Sequence, residues 1–199
     1  MDLPLELNHK ILLDLPVIDL ENLCATSQSG AAFCSDVRFW QERFKREGLL
    51  LPRDLTSVSS WIVEYKLSKI AQIREKHYMK NLLEKYVVAL DLTRVNDVSI
   101  LPDFLNKEEF AQIRDRRALQ KNFSNRPRKM LLLNREDKIK LDVGEGLRLE
   151  LTQEQAHVLL FIFCYYELDP LTDRETETYR VPRSKLEKLG LIEPVKQWI

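Results

Sequence analysis

Charge of one sign, long apolar runs, clustered cysteines and repeated motifs are all scarce in this chain, and each scarcity excludes something. The 31 Lys and Arg residues are balanced by 31 Asp and Glu, for a formal net charge of +0. No bulk field therefore draws the protein to nucleic acid or to an anionic membrane. No apolar run approaches the ~20 residues of a membrane-spanning helix. The start, with acidic Asp2 and no small-residue cleavage site, does not read as a signal peptide. Cys24, Cys34 and Cys164 are odd in number and far apart, with no CxxC among them. Neither a disulfide framework nor a zinc site is expected, and Cys24 and Cys34 read as small hydrophobes on helices. His9, His77 and His157 lack metal-ligand spacing. No P-loop, GxGxxG or GxSxG is present. The absence of an internal repeat excludes WD40, kelch and leucine-rich arrays. The expectation is a protein of a reducing intracellular compartment, cytoplasm or nucleus, that is not an enzyme and uses no cofactor, metal or membrane.

What the chain does have begins at once. The stretch "LPLELNHKILLDLP", Leu3 to Pro16, holds seven Leu or Ile residues, six of them between two prolines. Pro4 fits the first turn of a helix, where its missing N–H is not needed. Leu7, Ile11 and Leu15 form one helical stripe, and Leu5 and Leu12 a second beside it. Pro16 stops the run. Asp19 is the expected N-cap of a second helix, "LENLCATS", with Leu20, Leu23, Cys24 and Ser27 on one face. A third helix, "VRFWQERFKRE", places Val37, Trp40 and Phe44 on one side and ends at Gly48. Three short helices cannot bury all these apolar side chains among themselves. An apolar excess of this kind marks a partner surface.

The order of these pieces resembles the F-box. Leu3 and Pro4, Glu6, Ile11 and Leu12, Leu15 and Pro16, Asp19 and Leu20, the small-residue step Cys24 to Ser27, and the aromatic pair Phe39 and Trp40 stand where that motif has its hallmarks. The variant is most similar to F-box-like proteins of large cytoplasmic DNA viruses. The chain departs from many F-boxes at "QSGAA", where basic residues are usual. The resemblance implies a three-helix unit that docks on the Skp-family adaptor of a cullin–RING ubiquitin ligase. The adaptor-binding residues it implies are Leu3, Pro4, Leu5, Ile11, Leu12, Leu15, Pro16, Leu20, Leu23 and Trp40. A viral relative would act in the host cytoplasm or travel in the virion.

Residues 49–199 read as an α+β module of unassigned type, with a possible sub-boundary near residues 100–105. A helical pattern runs from about Ser57 to Leu90, with "REKHYMKN" as a possible break and "YVVALDL" as a possible strand. Asn106 and Glu109 match the N-cap and N3 positions of a further helix, with Leu105 and Phe110 as its hydrophobic staple. "KMLLL", "KIKLDV" and "LRLEL" read as short strands. Alternation of Ile139, Leu141 and Val143, and of Leu147, Leu149 and Leu151, predicts half-buried strands joined by the "GEG" hairpin. Thr152 and Gln155 form a capping box ahead of "AHVLLFIFCYYEL", apolar nearly all round and so central to this part. "TYRV", a helix to Leu189 stopped by Gly190, and "LIEP" close the chain. The fold class expected is α+β, mostly α: an F-box-like unit over residues 1–48, then helices and a small antiparallel sheet.

Between Arg114 and Lys140 basic residues outnumber acidic ones. Arg114, Arg116, Arg117, Lys121, Arg126, Arg128 and Lys129 surround Phe123. Such a patch suits phosphates, a stacked base or an acidic partner protein, although a solvated helix face and loop give the same pattern. Three functions are therefore weighed. One is a substrate receptor whose carboxy-terminal module holds a target near a ubiquitin ligase, raising its effective concentration. The second is a structural or virion-associated protein packing through the same helices. The third binds nucleic acid through Arg114 to Lys140.

Overall fold

The computed structural model describes residues 5–51, 60–90, 95, 97–121, 130–135, 138–144 and 146–166. The chain is α+β and mostly helical, with one four-stranded antiparallel sheet. It divides into two compact units between Ile70 and Ala71. That division falls inside a helix, not after residue 48. The reason is local: the first turns of this helix supply Trp61 and Tyr65 to the aromatic core of the amino-terminal unit. No division falls near residues 100–105, where Leu101 and Leu105 are buried.

The first unit contains α1 (Leu5–Asp14), α2 (Val17–Thr26), α3 (Gln28–Ser35) and α4 (Val37–Arg46), followed by the start of α5 (Trp61–Lys85). The expected three helices are thus four. "QSGAAFCS" forms α3, started by Ser27, whose hydroxyl accepts the Gly30 N–H at 2.8 Å. A Cβ at Gly30 would overlap the Leu23 carbonyl, so glycine is what lets α3 close on the end of α2. The start of α2 also differs from expectation. Val17 follows Pro16 directly, and Asp19 sits in the first turn, not at the cap. Asp36 caps α4 by accepting the Arg38 N–H at 2.9 Å, and Gly48 follows the helix with φ +60°. Fully buried Leu20, Phe39 and Trp40 form the centre of this unit. Trp40 stacks on Trp61, with ring centroids 6.5 Å apart and planes 9° from parallel. Phe44 meets Trp61 edge-on at 6.3 Å. The Trp40 indole N–H donates to the Cys34 carbonyl at 2.9 Å, giving the buried ring the partner it needs.

Closure of α3 on α2 overturns one expectation outright. Cys24 and Cys34 are joined by a disulfide, with Cα atoms 6.0 Å apart. Their separation in sequence concealed a meeting that only the turn at Ser27 creates. Cys164 is buried and takes no part in that disulfide.

In the second unit α5 runs unbroken through "REKHYMKN", because Tyr78, Met79 and Leu82 keep burying one face. It stops at Tyr86, which takes a left-handed conformation (φ 64°) and leads into β1 (Val87–Leu90). The 3-10 turn Val98–Ile100 precedes α6 (Lys107–Lys121). The Asn106 side chain accepts the Glu109 N–H at 3.3 Å, and Leu105 and Phe110 are buried, as the sequence predicts. Strands β2 (Met130–Arg135), β3 (Lys138–Gly144) and β4 (Leu147–Leu151) follow β1 in the order β1-β2-β3-β4. Leu132 pairs with Leu141, and Leu141 with Leu149. Ile139, Leu141 and Val143 are buried in alternation, as their period requires. Helix α7 (Gln153–Tyr165) starts with a complete capping box: Gln155 N–H donates to Thr152 Oγ1 at 3.1 Å, and Thr152 N–H to Gln155 Oε1 at 2.9 Å. Every residue from Leu159 to Tyr165 is buried. The expected elements after Tyr166, "TYRV" and the helix to Leu189, lie outside the described residues.

Gly144 (φ 82°) and Gly146 (φ 89°) flank the β3–β4 turn. The space around Gly146 is open. A side chain there costs only through the backbone, about 1–2 kcal/mol. Gly146→Val is therefore expected to lower the stability of the second unit by that amount in denaturant unfolding, with no change in the fluorescence of Trp40 and Trp61. Loss of both signals in one shifted transition would contradict it.

Candidate functional site

The surface implied by the resemblance lies on α1 and α2, and its geometry is set by one buried arginine. A ten-residue helix ends with carbonyls that have no partner of their own. Arg43 of α4 supplies them: its guanidinium donates to the Leu12 carbonyl at 3.1 Å and to the Leu15 carbonyl at 2.6 Å. The same group lies 4.7 Å from the centre of the Tyr65 ring and 3.4 Å from the Glu47 carboxylate. Tyr65 donates its hydroxyl to Glu47 at 2.7 Å, and Lys69 pairs with Glu47 at 2.5 Å. Burial pushes the Glu47 carboxyl up. Lys69, Tyr65 and Arg43 together outweigh it and hold the group below the ordinary glutamate value. Burial and the Glu47 carboxylate push the Tyr65 hydroxyl up to about 12. Around this network, Arg46 pairs with Asp14 at 2.5 Å and Lys66 with Glu21 at 2.5 Å. Helices α1 and α2 are thus each fixed by charge to a later element.

Each of the two held helices carries an apolar side chain open to solvent. Ile11 is 49% exposed and Ile18 41% exposed. Leu15, one turn after Ile11, and Leu23 are half-buried, and Pro16 is exposed. A branched aliphatic left this far in water on a fixed helix gains from burial against a partner. Other implied residues are not open in this way. Leu12 is 8% exposed, and Leu20 and Trp40 are fully buried, so the expectation that these three present a docking surface is corrected. They belong to the unit's own core, where Leu12 of α1 packs inward beside Leu13. Leu5 lies in α1 without a described side chain, and Leu3 and Pro4 fall outside the described residues.

The basic patch is only partly described. Arg114 pairs with Asp115 at 2.8 Å and donates to the Val95 carbonyl at 3.1 Å. Arg116 donates to the Gln112 carbonyl on its own helix. Arg117 and Lys121 lie in α6 without described side chains, and Arg126, Arg128 and Lys129 are outside the described residues. Arg114 and Arg116 are thus engaged within the chain.

Three further places bear on chemistry. His157 of α7 is paired with Glu75 of α5, and burial raises the Glu75 carboxyl above its ordinary value despite that partner. An open cleft of about 340 Å³ lies beside Lys138, Glu150 and Thr152, but Lys138 and Glu150 close on each other at 3.1 Å. His9 packs edge-on against Phe39 and lies 3.7 Å from Glu42. Among the described residues no group of His, Cys, Asp and Glu is placed to hold a metal ion, and no helix is long and apolar enough to cross a membrane. Exposed Ile18 was not singled out in sequence, and Val37, expected on one side of its helix with Trp40 and Phe44, is exposed while those two are buried. Compared with family models, with curated proteins and with solved structures, the chain gives no match to any of them.

Proposed function

We propose that the amino-terminal unit is a docking module for a Skp-family adaptor of a cullin–RING ubiquitin ligase, and that the chain serves as a substrate receptor. The observation that carries this reading is the exposure of Ile11 and Ile18 on helices that Arg43, Lys66 and Arg46 hold in place. Apolar side chains on fixed helices lose little freedom on binding, so most of their burial energy is available for affinity. The motif order from Leu3 to Trp40 supplies the identity of the partner. The protein performs no chemistry in this reading. It holds a target beside a ligase through residues after the docking unit.

Titration of the full chain with a purified Skp-family adaptor tests the proposal. The expected result is saturable micromolar or tighter binding. Ile11→Asp combined with Ile18→Asp is expected to weaken it about thirtyfold or more, the equivalent of about 2 kcal/mol. Its unfolding transition should stay within about 1 kcal/mol of the parent, since both side chains are exposed. A structural reading draws on the burial of Leu12, Leu20 and Trp40, which need no partner. Absence of adaptor binding at micromolar concentration would favour it and end the ligase proposal.

A further inference from the structure

We infer that Cys24 and Cys34 form a reversible thiol–disulfide site that fastens α3 to α2. Three observations bring the pair together. Their Cα atoms stand 6.0 Å apart, within the range that a disulfide spans without backbone movement. Gly30 permits the close approach of the two helices, and Ser27 turns the chain between them. Both cysteines are half-buried, not sealed, so a small thiol reagent reaches them. Cys164, 2% exposed within α7, is the contrasting case of a thiol packed away from solvent.

The exchange partner is a low-molecular-weight disulfide of the glutathione type. One cysteine thiolate attacks a sulfur of glutathione disulfide and releases one glutathione thiolate. The second cysteine thiolate attacks the protein sulfur of that mixed disulfide and releases the second glutathione. The protein loses two protons and two electrons, and glutathione disulfide is reduced to two molecules of glutathione. Excess glutathione reverses both steps. In a reducing compartment a disulfide is commonly of this transient kind.

The bond closes a short loop that contains all of the α2–α3 turn. Cys24 follows Leu23, and Cys34 offers its carbonyl to Trp40. Oxidation therefore ties the helix that bears Ile18 to the segment anchored on the core tryptophan. On the docking proposal above, this places a redox constraint at the adaptor surface, but the thiol chemistry stands whether or not an adaptor binds.

The test uses the full native chain equilibrated in buffers from fully reduced to fully oxidised glutathione. The samples are quenched in acid, denatured and tagged with a maleimide of added mass. The expected result is loss of two of the three taggable thiols together under oxidising buffers, and their return under excess glutathione. Cys24→Ser should leave Cys34 taggable or carrying one glutathione, with no internal bond. The oxidised parent should unfold at least about 5 °C higher than the reduced one, and the Cys24→Ser chain should show no such difference. Three taggable thiols at every poise, or a bond that survives excess glutathione in the native chain, would overturn the inference. So would equal unfolding of the oxidised and reduced parent.

Discussion

Arg43→Met is expected to remove about 3–5 kcal/mol from the stability of the amino-terminal unit. Methionine keeps much of the apolar stem, so the loss isolates the guanidinium. That group satisfies two carbonyls at the end of α1 and faces Glu47 in a site where Arg43 is 3% exposed. Its removal takes the side-chain donor from the Leu12 and Leu15 carbonyls, leaving Leu12 only the Leu15 N–H at 3.4 Å, and takes one cation from a partly buried carboxylate. Arg43→Lys should recover little, because a single ammonium cannot reach both carbonyls and Glu47 at once. Denaturant unfolding read by tryptophan fluorescence measures the effect. Trp198 is first changed to Phe so that the signal comes from Trp40 and Trp61. A loss below about 1 kcal/mol would mean that water replaces the guanidinium at no great cost, and that α1 is not fixed in the way described.

Trp40→Ala is expected to be at least as severe, and it separates two roles that the sequence leaves together. The indole is fully buried, stacks on Trp61, meets Phe39 edge-on and donates to the Cys34 carbonyl. Truncating such a residue costs about 3–5 kcal/mol, close to the whole stability of a small unit. The unit should lose its cooperative transition, and adaptor binding should vanish with it. Trp40→Phe should keep the fold at a smaller cost and retain binding within about threefold, because the ring contributes no contact to the open face. An opposite pattern, with folding intact and binding lost in both variants, would place Trp40 at the docking surface after all.

The sequence was most readable where one local rule decides the outcome. The alternation in β3, the capping box at Thr152 and Gln155, and the Asn106 cap with its Leu105 and Phe110 staple all appear in the structure as expected. Each depends on residues within a few positions of one another. Where two local signals compete, the packing decides. Leu5 and Leu12 gave α1 a second stripe equivalent to that of Leu7, Ile11 and Leu15, and nothing in periodicity says which stripe faces the core. The structure buries Leu12 and leaves Ile11 out. Helix α3 was missed because "QSGAA" has small polar and apolar residues without a stripe, and its helical state follows from the Ser27 cap and contact with α2. The disulfide was missed with it. The charged run in α5 looked like a break, yet Tyr78, Met79 and Leu82 carry the apolar face through it. Arg43 could not have been found at all: on α4 it is one basic residue among several, and the carbonyls it satisfies lie 31 and 28 positions before it.

Dependence on distant groups also sets an order of events while the chain is made. The carbonyls that Arg43 satisfies lie 31 and 28 residues before it. A helix of ten residues is below the ~12–15 that hold together in water unaided. As synthesis proceeds, α1 therefore leaves the ribosome first and has nothing to settle on until α4 has followed. At about 5–20 residues per second this interval lasts on the order of a few seconds. Trp61 must emerge later still before Trp40 is covered. For that time the aliphatic residues of α1 are open to chaperones on every side, and the selective exposure of Ile11 begins only when the unit closes around Leu12 and Leu13.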